Sequence, residues 1–61
     1  MILTIKAPNR QALTRGVWQA QMMMGLETEV NVDNTFEIVC HDPGKVEKIL
    51  KESQGTVISQ R

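Results

Sequence analysis

The clearest indication of the fold is the segment ETEVNVDNTFEIVCH, residues 27–41. Apolar and polar residues alternate in both halves of it, which is typical of strands with one buried face. The residues that share the apolar faces are Thr28, Val30 and Val32 in the first half and Phe36, Ile38 and Cys40 in the second. Asp33-Asn34 lies between the halves and is a hairpin signal. The segment therefore predicts two antiparallel strands, Glu27–Asp33 and Thr35–His41.

The length of the hairpin loop follows from which residues must share a face. Directly opposed residues of an antiparallel pair lie on the same face of the sheet. A two-residue loop at Asp33-Asn34 opposes apolar to charged residues, whereas a three-residue loop over residues 33–35 pairs Val32 with Phe36. We therefore predict the three-residue loop, with Asn34 or Thr35, and preferably Asn34, in an unusual backbone conformation.

A helix is predicted before the hairpin, over Arg10–Met24. Asn9 is a suitable N-cap, and Gly25 suits the position just after a helix end. Four apolar residues at helical spacing form its buried stripe, namely Leu13, Val17, Ala20 and Met24. Gly16 lies beside that stripe and destabilises the helix by about 1 kcal/mol relative to alanine. A glycine at this cost indicates a packing requirement, and we expect a strand to approach the helix closely there.

A second helix is predicted after the hairpin. Asp42-Pro43 joins a capping carboxylate to a proline at the first helical position, and Gly55 ends the helix. An alternating segment at Met1–Ala7 adds a strand at one end, and Thr56–Gln60 adds a short last strand whose facing the sequence does not define. The resulting order, βαββαβ, predicts a single ferredoxin-like domain over residues 1–61: a four-stranded antiparallel sheet, order 4-1-3-2, with both helices on one face.

Composition excludes several classes of function. The 61 residues include seven Lys and Arg and seven Asp and Glu, so the formal net charge is zero. A neutral chain lacks the electrostatic basis for generic binding to nucleic acids or membrane surfaces. One cysteine allows no internal disulfide, and no apolar run approaches the ~18 residues of a membrane span. We therefore expect a cytoplasmic protein without a membrane partner.

No catalytic, metal-binding or cofactor-binding set is predicted, and we expect no enzyme. The chain resembles heavy-metal-associated domains in length and element order, but the loop over residues 7–11 lacks their Cys-x-x-Cys pair. Cys40 and His41 are adjacent on a strand and point to opposite faces, so they cannot bind one ion. Met22-Met23-Met24 spreads around a helix rather than converging. The open sheet face has no aromatic residue for stacking bases.

One surface of the first helix is predicted to bind a partner. Measured from Leu13 at 100° per residue, Trp18 lies at about 140° and Met22 at about 180°, so both point away from the sheet. Gln11 and Arg15 lie beside them, and Trp is frequent at interaction hot spots. We predict that these four residues bind a second copy of the chain or a larger protein. The alternative is that Trp18 packs between the two helices.

Two other functions stay open. Acidic residues are absent from Met1–Leu26, so the helical side is basic. Arg10, Arg15 and Lys45 are candidate anion contacts for a nucleic-acid-binding accessory protein. A small-molecule sensor with its site between two subunits is the second alternative.

Overall fold

A four-stranded antiparallel sheet and two helices make up the fold in the computed structural model, which describes residues 1–61. The sheet order is β2-β3-β1-β4, which reads 4-1-3-2 from its other edge. The elements are β1 (Ile2–Lys6), α1 (Arg10–Trp18), a π-helical turn (Gln19–Met23), β2 (Thr28–Val30), β3 (Thr35–Val39), α2 (Pro43–Ser53) and β4 (Thr56–Gln60). The predicted α+β class, with four antiparallel strands and two helices, is confirmed.

The core lies between the helices and the two central strands. Ile5 of β1 faces Phe36 of β3, and Leu3 faces Ile38, so alternate residues of both strands point to the helical layer. Phe36 is the largest fully buried side chain. The buried apolar residues are Leu3, Ile5, Ala7, Ala12, Leu13, Ala20, Phe36, Ile38, Cys40 and Ile49.

The α1 segment begins as predicted and ends differently. The Asn9 side chain accepts a hydrogen bond from the Ala12 amide at 2.8 Å, which confirms the N-cap. The prediction of one α-helix to Met24 is wrong, because the last turn is π-helical: the Met24 amide donates to the Gln19 carbonyl five residues back. Gly25 follows with a φ of 67°, a conformation that favours glycine.

The hairpin has an odd loop, but its register differs from the predicted one by two residues. Val30, not Val32, pairs with Phe36, and β2 ends at Val30. The Asn31 amide still donates to the Thr35 carbonyl, so the loop between bonded residues consists of residues 32–34. Val32 is 97% exposed and takes no part in the sheet. Asn34 has the unusual backbone conformation that was predicted, a left-handed one with a φ of 62°.

Polar side chains account for the shifted register. The Thr35 hydroxyl donates to an Asp33 carboxylate oxygen at 2.6 Å and accepts from the Asn31 amide nitrogen at 3.1 Å. The Asn31 backbone amide also donates to the Thr35 carbonyl. Lys6 donates to the Asp33 carbonyl at 3.2 Å. These bonds close the loop two residues earlier than the apolar pattern alone requires.

α2 ends at Ser53, just before the predicted stop at Gly55. Gln54 between them has a positive φ, 51°, and its amide donates to the Leu50 and Lys51 carbonyls. Gly55 is required by its packing. A β-carbon at that position would lie 2.6 Å from Ile5 Cγ2, so only glycine lets the chain pass so close to β1.

The close approach expected at Gly16 is made mainly by a helix. A β-carbon on Gly16 would lie 2.4 Å from the Ser53 β-carbon of α2 and 3.0 Å from Phe36 Cζ of β3. Ser53 is itself buried, and its hydroxyl donates to the Ile49 carbonyl at 2.8 Å. Gly16 and Ser53 therefore form the contact that sets the spacing of the two helices.

Candidate interaction surface

The predicted partner-binding residues lie together on the surface of α1 and its π turn. Trp18 is 54% exposed and Met22 is 67% exposed, which confirms that both point to solvent. Gln11 and Arg15, which precede Trp18 by about two turns and one turn respectively, are exposed on the same side. We call these four residues the α1 outer face. The side chains form one stripe along the helix, with the two large apolar groups at its C-terminal end.

The packing of α1 explains why Trp18 is exposed. Leu13 faces the core, and Gly16 meets Ser53 of α2. Trp18, two residues beyond Gly16, is rotated by about 200° from the interhelical contact. The alternative that Trp18 packs between the helices is therefore wrong.

The three consecutive methionines have three different environments. Met22 belongs to the α1 outer face, and Met24 is half-buried against the core. Met23 is also exposed, and it borders a groove between the π turn and α2 that Met24, Lys45 and Lys48 also line. Because Met22 does not line this groove, the three methionines do not share one site.

The candidate anion contacts are spread along the molecule. The Arg10 guanidinium lies at the start of α1 and donates to the Asn31 carbonyl at 3.3 Å. Lys45 lies beside Met23 at the other end of the same helical segment. Met23 follows Arg10 by thirteen positions along the helical segment, which is about 20 Å at 1.5 Å per residue. Arg15 lies between the two ends, so the three cations do not form one compact anion site.

The open face of the sheet is acidic and has no aromatic side chain. Glu29 of β2 lies directly opposite Glu37 of β3, and Arg61 forms an ion pair with Glu37 at 2.8 Å. The two aromatic residues of the chain lie elsewhere, Phe36 in the core and Trp18 on α1. A surface of this composition repels phosphate and cannot stack bases.

Near the hairpin, one carboxyl has a shifted pKa. The hydrogen bond from the Thr35 hydroxyl is the main reason why the pKa of Asp33 lies below its usual value. A backbone hydrogen bond and the charge of Lys6 act in the same direction. Because the loop bonds favour the ionised carboxylate, this shift is explained by loop structure.

Cysteine and histidine do not form a reactive pair. Cys40 is buried, and its thiol donates to the Asp42 carbonyl at 3.6 Å. His41 is exposed on the other side of the chain. The structure contains no group of three or more His, Cys, Asp or Glu side chains that is arranged to hold a metal ion.

Comparison with known proteins adds no family to this description. The chain matches no protein-family model, and neither a curated protein nor a solved structure is significantly similar to it. None of the helices has the length and apolar character needed to cross a membrane.

Proposed function

We propose that this chain is a small ferredoxin-like, non-enzymatic adaptor or regulatory protein of the cytoplasm that binds another protein through the α1 outer face. The observation that carries the proposal is the exposure of Trp18. The core is completed by Phe36, Ile49 and the central strands without it, so stability alone does not account for a large aromatic group on the surface.

The exposed part of Trp18 represents a useful amount of binding energy. Burial of a whole aromatic side chain removes roughly 150–250 Å² from water, and 54% of that remains exposed. At about 25 cal/mol per Å², covering it contributes about 2–3 kcal/mol. That is the range of an interaction hot spot, and Met22 adds apolar area beside it.

Charge indicates what kind of protein surface fits. The α1 outer face carries Arg15 and no acidic residue, and none occurs anywhere in Met1–Leu26. The matching surface is an apolar pocket that accepts Trp18, with carboxylates at its rim. Complementary charges at the rim favour the correct partner and speed its association.

The test uses four immobilised forms of the chain: wild type, Trp18→Ala, Arg15→Glu and a control, Val32→Ala. Val32 is also exposed and apolar, but it lies in the hairpin loop. We expect the wild-type chain and the Val32→Ala control to retain one binding protein, and the Trp18→Ala and Arg15→Glu chains not to retain it. With that protein purified, the Kd for Trp18→Ala rises about thirtyfold, the equivalent of a 2 kcal/mol hot spot.

Three results overturn the proposal. An unchanged Kd for Trp18→Ala removes the role of the α1 outer face. Unfolding of Trp18→Ala, seen by circular dichroism, makes Trp18 a structural residue. Salt-dependent binding of DNA or RNA that is lost on substitution of Arg10, Arg15 and Lys45 assigns the chain to nucleic-acid binding instead.

A further inference from the structure

The two edges of the sheet differ in how well they are protected against pairing. β2 has only three residues, and it carries Glu29 with Glu27 just before it. Short strands, charged side chains and bulges are common devices that prevent an edge from pairing with another chain. β4 has five residues, Thr56–Gln60, none of them charged, and its one such device is the single-residue bulge at Ile58. It bonds β1 on one side only, so its outer backbone groups have no strand partner.

Beside β4, the apolar layer of the domain is incomplete. A groove of about 330 Å³ lies between α2 and the sheet, and Leu3, Val46, Leu50 and Val57 are among its lining residues. The last three are only partly buried. Ile58, the extra residue of a bulge in β4, is 56% exposed. An unpaired neutral strand and an open apolar groove thus occupy the same side of the molecule.

We propose that a second copy of this chain pairs antiparallel along β4, so that two four-stranded sheets join into one of eight strands. Among the edges of the chain itself, the partner strand must be β4, because β2 is short and acidic. In a two-fold arrangement each β4 faces the other, and a neutral strand brings no like charges together. Both pairs of helices then lie on the same side of the joined sheet.

Helix spacing supports this arrangement. α2 lies over β1 and β4, since its Val46 and Leu50 share one groove with Leu3 and Val57. Strands are about 4.8 Å apart, so the axis of α2 lies about one strand spacing from the two-fold axis. The two copies of α2 are then about 10 Å apart, which is the usual distance between packed helices. The groove closes between them.

Charge complementarity selects a second copy of this chain as the occupant. Ile49 precedes the end of α2 by four residues, about 6 Å, and Ile58 follows the start of β4 by two, about 7 Å. Because the turn Gln54-Gly55 joins α2 to β4, the two residues lie at similar distances from that turn. A two-fold axis at this distance brings Glu47 of each copy opposite Lys51 of the other copy. Two equivalent ion pairs result.

The size of a standard interface sets how much surface this pairing must cover. A standard interface covers about 800 Å² on each partner, which is about a fifth of the 3917 Å² surface of this chain. The strand and the adjoining side of α2 must both take part to reach it. The α1 outer face lies away from β4 and stays free, so the dimer presents two such faces. The dimer does not depend on the proposed function.

The first test is the molar mass in solution, measured by light scattering over a concentration series. We expect wild type at twice 6.9 kDa and Ile58→Lys at the monomer mass, because a lysine at the centre of β4 guards the edge. Trp18→Ala is the matched control and remains a dimer. A monomeric wild type at the highest soluble concentration overturns the proposal. A mass that falls for Trp18→Ala but not for Ile58→Lys places the interface on α1 instead.

A charge exchange tests the geometry independently of the strand variant. Glu47→Lys and Lys51→Glu each turn both ion pairs into repulsive pairs, and we expect the dimer Kd to rise about tenfold in each case. The double variant restores the pairs in exchanged form and returns the Kd to near the wild-type value. Lys48→Glu, on the other side of α2, is the control and leaves it unchanged. Failure of the double variant to recover affinity rejects this arrangement, even if Ile58→Lys unfolds.

Discussion

Replacing Gly16 by alanine tests whether the Gly16–Ser53 contact sets the helix spacing. Alanine in a helix gains about 1 kcal/mol over glycine from propensity alone. In this structure the new methyl group would lie 2.4 Å from the Ser53 β-carbon, whereas carbon atoms in contact are about 3.5–4.0 Å apart. Both carbons are fixed to helix backbones, so rotation of a side chain cannot relieve the overlap and the helices must separate by more than 1 Å.

The expected result is a clear loss of stability. Overpacking of a core costs about 1–3 kcal/mol, and the overlap at Gly16 corresponds to the upper part of that range. After subtraction of the propensity gain, Gly16→Ala should lower the free energy of unfolding by about 2 kcal/mol. For a domain of this size that corresponds to a fall in Tm of about 8–16 °C.

The assay is urea and thermal unfolding followed by circular dichroism, with two comparison variants. Gly44→Ala, in α2, meets only an Asp42 carboxylate oxygen at 3.3 Å, so it should keep part of the propensity gain and raise stability by up to about 1 kcal/mol. In a Ser53→Gly background the clashing carbon is gone, so Gly16→Ala should cost less than half as much as in wild type. Equal costs in the two backgrounds, or stabilisation of the wild type by Gly16→Ala, would refute this account of the packing.

Three further predictions concern the hairpin and the core. Asn34→Ala should lower stability by about 1–2 kcal/mol because its φ is 62°, whereas Asn34→Gly should be nearly neutral in chemical denaturation. Thr35→Val should raise the pKa of Asp33 toward its usual value, as measured by NMR titration. The lowered pKa of Asp33 stabilises the folded wild type at pH values above the pKa of this carboxyl in the unfolded chain. That stabilisation is lost as the pH falls through the folded-state pKa, so the stability of Thr35→Val should fall less on acidification. The buried thiol of Cys40 should react with a disulfide reagent only as fast as the domain opens, and rapid labelling under native conditions would contradict its burial.

Features that depend on a few neighbouring residues were predictable from the sequence. Asn9 and Asp42 act as N-caps, as expected from their position before helical patterns. Asn34 has its left-handed conformation because few other residues tolerate it. The exposure of Trp18 followed from helical geometry, since its direction relative to Leu13 needs no tertiary information.

Features that depend on competition between local and distant contacts were not predictable. The hairpin register is set by hydrogen bonds among Asn31, Asp33 and Thr35, which an apolar pattern does not contain. The close approach of Gly55 to Ile5, which leaves no room for a β-carbon, depends on how the chain passes from α2 into β4. The bulge at Ile58 breaks the alternation of β4, so the faces of that strand could not be assigned from its sequence.

The π turn at Gln19–Met23 also determines where the chain can change in length. A π turn holds one residue more than an α-helical path between the same ends. Deletion of the exposed Gln21 would let α1 continue as an ordinary helix while Leu26 still enters β2. The same deletion in β1 or β3 would turn every following side chain of the strand to the opposite face. Homologous chains one residue shorter are therefore expected to lack a residue in this turn, with both central strands intact.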